Sequence, residues 1–331
     1  MISEHGGDLD RAIAQYGGRR DDWLDLSTGI NPDSYPVAEP GQRTWKALPD
    51  AADMNALINA AKQAYNTSQG CLPLAGAQQA IQLYPSLLAR KFQGRHARIL
   101  TPSYNEHEIQ LRRHGWQVEA VADIQQMKGA DLAVVVNPNN PDGKSFSAEA
   151  LLELSEKVKC LVVDESFCDA TPSHSLCPHL QPDTQPILVL RSFGKFYGLA
   201  GLRLGFAIGP EYLLKGLAEM AGNWAVSGPA LIIGQQALQD TKWAENMRAK
   251  LAVQSARLDK LAITAGWQLI GGSRLFRLYQ PAGTHGMAAN WQDHFARHYI
   301  WTRCFSYAPQ WLRLGLPGVH EWQRLERAFL G

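Results

Sequence analysis

The chain has 331 residues, 45% hydrophobic and 19% charged, with a net charge of +1, which is enough for a deep core and a second, smaller domain. The near-zero balance gives no basic field for nucleic acid or an acidic membrane surface, and no apolar run reaches the roughly 18 residues of a membrane-spanning helix. The 5 scattered cysteines form no Cys-x-x-Cys pair, and acids and glycines fill the N-terminus; we therefore expect a soluble, cytoplasmic protein without disulfides, signal peptide or metal.

Residues 1–50 are rich in Gly, Pro, Asp and Ser and read as an irregular arm that packs with a C-terminal domain. Apolar residues at helical spacing predict helices over 51–65 and 78–92. Short apolar β-type runs follow at 97–100, 132–136, 161–163 and 187–190, alternating with helical stretches at 106–114 and 148–158. Continuous apolar strands separated by helices predict an α/β domain, with a mostly parallel sheet covered on both faces, over 51–242. The strands end in Thr101, Asn137, Asp164 and Ser192, and ligands of open α/β sheets sit beyond such carboxyl ends. From 243 a long amphipathic helix to 265 leads into strands at 267–270 and 275–279, then a helix, a strand and a last helix. This predicts a smaller α+β domain over 243–331.

The segment from Ser192 to Phe206 (SFGKFYGLAGLRLGF) places Lys195 three residues after a serine and eight before Arg203, in a glycine-rich turn. A hydroxyl, a guanidinium and a closely approaching backbone suit a bound phosphate, and the lysine then reaches an aldehyde of the same molecule. Gly76, Ala77 and Gln78 open a helix whose free N–H groups make a second anion site. Asp164 ends a buried strand, where a carboxylate is costly unless it meets a cation. Asn-Pro-Asn-Asn-Pro-Asp-Gly at 137–143 reads first as a turn, and Tyr104 as a core or surface aromatic.

Together these segments resemble the class I and II aminotransferases, enzymes of pyridoxal-phosphate (PLP) fold type I, over almost the whole chain. The resemblance implies that Lys195 carries the cofactor as a Schiff base and that Asp164 meets the pyridine nitrogen. It also implies that Asn140 bonds the phenolic oxygen, Tyr104 stacks on the ring, and Ser192, Arg203 and the Gly76–Gln78 turn hold the phosphate. Three positions depart from the family pattern. Gly194 stands where a second serine is usual and Phe167 where a tyrosine is usual. Leu48 lies where related enzymes place a tyrosine that reaches the partner subunit, so that role is not carried over.

The order of arm, large domain and small domain is similar to the histidinol-phosphate-aminotransferase-like branch. His5-Gly6-Gly7-Asp8 and the string ending in Asn31-Pro32 resemble its cobalamin-pathway members, the L-threonine O-3-phosphate decarboxylases. By that resemblance Arg313 grips the substrate carboxylate and Arg303 its phosphate, with His5 and Asn31 nearby, a planar guanidinium fork suiting both anions. The implied reaction is decarboxylation to (R)-1-amino-2-propanol O-2-phosphate by a homodimer, with a transient contact to the next cobalamin-pathway enzyme. Two alternatives stay open: an aminotransferase of the histidinol-phosphate type, and a PLP-binding assembly partner.

Overall fold

The computed structural model describes residues 6–181, 186–282 and 286–330, and the chain divides into two compact units. The larger comprises Tyr35–Asn140 and Lys144–Glu245. Its seven-stranded sheet is built from β1 (Gly70–Leu74), β2 (His96–Leu100), β3 (Gln117–Val121), β4 (Leu132–Val136), β5 (Leu161–Asp164), β6 (Ile187–Ser192) and β7 (Gly205–Gly209). The spatial order is β1-β7-β6-β5-β4-β2-β3. Strand β7 is antiparallel to both neighbours, and all other pairs are parallel.

Burial on both faces explains the composition of the central strands. Every residue of β4, β5 and β7 is buried. On one face Leu132, Val134, Val162 and Leu188 pack with Ile81, Tyr84 and Leu88 of the helix Ala77–Lys91 and with Leu111 of the helix Glu106–Arg113. The alternate residues Ala133, Val135, Val163 and Val189 are fully buried as well. Each large aliphatic side chain so buried contributes about 1.5–3 kcal/mol.

The sequence periodicity missed three of the seven strands. Pro73 interrupts β1, β3 is largely exposed, and β7 begins and ends in glycine. Gly205 is required there: a Cβ would stand 2.3 Å from the backbone nitrogen of Ala77, so the start of β7 passes directly beneath the start of that helix.

The smaller unit gathers Met1–Ser34, Pro141–Gly143 and Asn246–Gly331. Its strands are β8 (Gln268–Ser273), β9 (Phe276–Gln280), β10 (Ile300–Trp301), β11 (Arg303–Cys304) and β12 (Leu312–Gly315). Four of them form an antiparallel sheet in the order β11-β12-β9-β8, while β10 pairs in parallel with Leu24–Asp25. The N-terminal segment is more regular than its composition suggests. Leu9–Tyr16 is a helix whose N-cap, Asp8, accepts from the Arg11 N–H, and it buries Leu9 and Ala12 against Trp23, Ala296 and Trp301.

Candidate active site

In the larger unit, the parallel strands bring the ends of β2, β4, β5 and β6 to one edge. The register is tight there: Asp164 lies opposite Val136 of β4 on one side and Leu190 of β6 on the other. Asp164 is 2% exposed, yet its carboxylate is well supplied with donors. Oδ1 accepts from the Ser166 N–H at 2.9 Å and from the Ser166 hydroxyl, and Oδ2 lies 3.0 Å from His107 Nε2. The other ring nitrogen of His107, Nδ1, is 2.9 Å from the Tyr84 hydroxyl. Burial pushes Asp164 upward, but the His107 and Ser166 bonds outweigh it and hold the carboxyl below its usual range. This group stays ionised in a dry place.

The next strand delivers Lys195. Strand β6 ends at Ser192, and the short helix Phe193–Phe196 follows at once. Lys195 is partly buried, with Nζ 5.8 Å from the centre of the Phe167 ring. Gly194 is tightly packed: a Cβ would lie 2.7 Å from Ala200 Cα and 3.1 Å from its nitrogen. The glycine at this departure from the family pattern therefore follows from backbone against backbone. Tyr197, just after the helix, stacks between Phe193 at 4.4 Å and Trp243 at 5.5 Å, which fixes the turn from behind.

Arg203 and the helix start at Ala77 meet beside this turn. Gly76 has φ +83°, and a Cβ on it would stand 2.8 Å from Arg203 Nη2, so only glycine lets the guanidinium lie against that backbone. No side chain caps the start of the helix Ala77–Lys91; the Gln79 N–H bonds the Gly76 carbonyl at 3.1 Å, and the N–H groups of Ala77 and Gln78 precede the first i to i−4 bond of the helix. Gln78 donates to Glu106 at 2.9 Å and accepts from the Tyr104 hydroxyl at 3.2 Å. Burial, then Glu106 and Asp164, push the Tyr104 hydroxyl up, so it remains a neutral donor.

The asparagine turn closes this edge. Asn137 donates to the carbonyls of Phe146 and His174 and accepts from the Phe146 N–H, while the Asn139 amide donates to the Pro102 carbonyl at 2.9 Å. Asn140 follows, half-buried, at the end of the larger unit's first segment.

The smaller unit contains the two arginines. Arg303 on β11 and Arg313 on β12 are direct cross-strand partners, so both side chains leave the same face. Arg313 is 6% exposed, donates to the Ser27 carbonyl at 2.7 Å and lies over the Phe276 ring at 5.1 Å. Burial and the adjacent Arg303 push its guanidinium down to about 10. Two like charges side by side favour an anion as their common neighbour. A cavity of about 260 Å³ opens at Arg303, with Arg11, Ser27, Gln292 and Thr302 also in its wall. Asn31 is buried and its side chain accepts from the Asp33 N–H at 3.0 Å. His5 lies outside the described residues.

Thus Gly76, Ala77, Gln78, Tyr104, Asp164, Ser192, Lys195 and Arg203 all belong to the larger unit, and Asn31, Arg303 and Arg313 to the smaller. Sequence reasoning missed His107, Tyr84 and Ser166. The one available signal was a histidine inside the buried stripe His107, Gln110 and Leu111 of an amphipathic helix.

The fold is shared with a solved histidinol-phosphate aminotransferase of Sinorhizobium meliloti in complex with pyridoxal-5'-phosphate, at TM-score 0.82 and 18% identity, covering 99% of this chain and 94% of that one. Residues 21–328 match the family Aminotransferase class I and II, and the chain belongs to that family. Among its relatives is a threonine-phosphate decarboxylase of Sinorhizobium sp, 43% identical over 94% of this chain and 92% of the relative. Another, from Pseudomonas aeruginosa, is 40% identical over 99% of this chain and 97% of the relative.

Proposed function

We infer that this protein is a PLP-dependent decarboxylase of L-threonine O-3-phosphate, which it converts to (R)-1-amino-2-propanol O-2-phosphate and CO₂ in cobalamin biosynthesis. The observation that carries this reading is identity of 40–43% with two threonine-phosphate decarboxylases over nearly the whole chain. The residues of the larger unit fit the cofactor. Asp164, held as a buried carboxylate, suits a protonated pyridine nitrogen, and the Arg203 guanidinium against Gly76 suits a phosphate at the helix start.

On this reading Lys195 binds the cofactor aldehyde, Asn140 serves its phenolic oxygen, Tyr104 covers the ring, and Ser192, Arg203, Gly76, Ala77 and Gln78 hold its phosphate. When bound, PLP supplies an electron sink for the pair left at the substrate Cα as CO₂ departs. Arg313 receives the substrate carboxylate and sets its angle, which selects the bond that breaks. Arg303 receives the substrate phosphate, with Asn31 and His5 as further donors. Lys195 Nζ then returns a proton to Cα, completing the amine.

We further propose a homodimer working in the cytoplasm, meeting the next pathway enzyme only transiently. The unpaired state of the 5 cysteines supports that compartment, and among the described residues no helix is long and apolar enough to cross a membrane. The test is turnover of L-threonine phosphate without any keto acid. We expect sustained CO₂ release; a reaction that stops after one equivalent and needs a keto acid to resume would mark an aminotransferase, and no turnover an assembly partner.

A further inference from the structure

Behind the candidate site lies a second cluster of charges that the proposed chemistry does not use. Arg191, Glu165 and Asp169 are 2%, 0% and 4% exposed. Arg191 Nη1 donates to Glu165 Oε2 at 2.6 Å and to the Ser175 hydroxyl at 3.3 Å, while Nη2 donates to Asp169 Oδ1. Glu165 also accepts from the Ser175 hydroxyl at 2.7 Å and the Leu176 N–H at 2.6 Å. The Tyr65 ring covers the guanidinium, 4.3 Å from its Cζ.

The location of these charges is the informative part. Arg191 directly precedes Ser192 on β6, and Glu165 directly follows Asp164 of β5. Side chains alternate along a strand, so Arg191 and Glu165 point away from the face that Ser192 and Asp164 serve. Asp169 lies in the short helix that begins just after Phe167. One guanidinium therefore ties the strand leading to Lys195 to both ends of the segment 165–169, which directly follows Asp164 and carries Phe167. Buried ion triads add little to stability over well-packed apolar side chains, so stability alone does not account for this one.

We propose that Arg191 is a positioning residue: by bridging Glu165 and Asp169 it fixes where Lys195 Nζ stands relative to the Phe167 ring and the Asp164 carboxylate. The proposal rests on the reading that Lys195 carries PLP. The guanidinium reaches Glu165 and Asp169 through separate nitrogens held in one plane, and a lysine ammonium at the same place keeps the charge but lacks that fixed fork.

The test uses two holoenzyme variants, R191K and D169N, the second leaving the Arg191–Glu165 pair in place. Far-UV spectra establish folding, and the visible circular dichroism per bound cofactor reports how the ring is held. In the folded variants we expect that visible signal to fall at least twofold. Turnover should drop about tenfold or more while KM for L-threonine phosphate stays within about twofold, because the lost alignment acts on chemistry and not on substrate capture. Folded variants with a lower melting temperature but the parent's visible signal and turnover would overturn the proposal, since a purely structural role moves only the melting temperature. D169N decides alone if R191K does not fold. Borohydride labelling of the parent at a residue other than Lys195 would instead sink the underlying reading, an outcome recognisable before any variant is made.

Discussion

His107 Nε2 stands 3.0 Å from Asp164 Oδ2, and both residues are buried. The imidazole is fixed from its far side by Tyr84, so the carboxylate has a partner whose position does not depend on solvent. Removing it with His107→Leu should leave Asp164 buried with one donor group fewer and raise its pKa. A hydrogen bond to a charged group is worth about 1.5–3 kcal/mol, and that is the stability loss we expect near neutral pH. The sign follows from the lowered pKa. Asp164 binds its proton less readily folded than unfolded, so its contribution is complete above the unfolded value of about 4 and drains away as pH falls through the folded value. Denaturant titrations should therefore converge for parent and variant in strong acid; a gap that widens there would contradict the assignment.

Asp164→Asn keeps the shape and removes the charge. If that charge holds the pyridine nitrogen protonated, turnover should fall at least about 100-fold, or roughly 3 kcal/mol of transition-state stabilisation. Full activity would mean that the ring nitrogen is not engaged there.

Gly194→Ser restores the residue usual in the family and should nonetheless be harmful. The added Cβ meets the Ala200 backbone at 2.7 Å, and overpacking of this kind costs about 1–3 kcal/mol. We expect a lower melting temperature and no gain in cofactor affinity; tighter PLP binding at parental stability would show that the turn relaxes freely.

The two arginines should fail differently. Arg303→Ala removes a contact remote from the bond that breaks, so it should mainly raise KM. A charge-assisted contact of about 1.5–3 kcal/mol corresponds to a roughly 10- to 150-fold loss of preference for phosphorylated over plain L-threonine. Arg313→Ala releases the group whose angle selects the chemistry and should lower kcat as well. Equal losses on both substrates in Arg303→Ala would refute the phosphate assignment.

Much of this arrangement is legible in the residues themselves. Leu132–Val136 is wholly apolar and is a wholly buried strand, and Asp164 at the end of a similar run announces a carboxylate that needs a partner. The identity of that partner is a tertiary fact: His107 sits 57 residues earlier in the chain, on a helix whose periodicity marks it only as inward-facing. Arg191 was hidden for the same reason, since a lone arginine in an apolar strand does not say which carboxylates it meets. The helix Leu9–Tyr16 has a signal of its own, since Leu9, Ala12, Ile13 and Tyr16 follow helical spacing behind an aspartate cap. Surrounding glycines masked it.

Lys195→Ala should give a colourless protein that borohydride no longer labels. Loss of turnover with persistent labelling would place the cofactor on a different lysine.

The most direct measurement is the product formed from L-threonine O-3-phosphate in D₂O by the purified protein with PLP. We expect 1-amino-2-propanol phosphate carrying one solvent deuteron at C1, with one CO₂ released per product, because the C–C bond breaks and one solvent-derived proton replaces it. Recovery of substrate deuterated at Cα, or of the corresponding keto acid with no CO₂, would contradict decarboxylation.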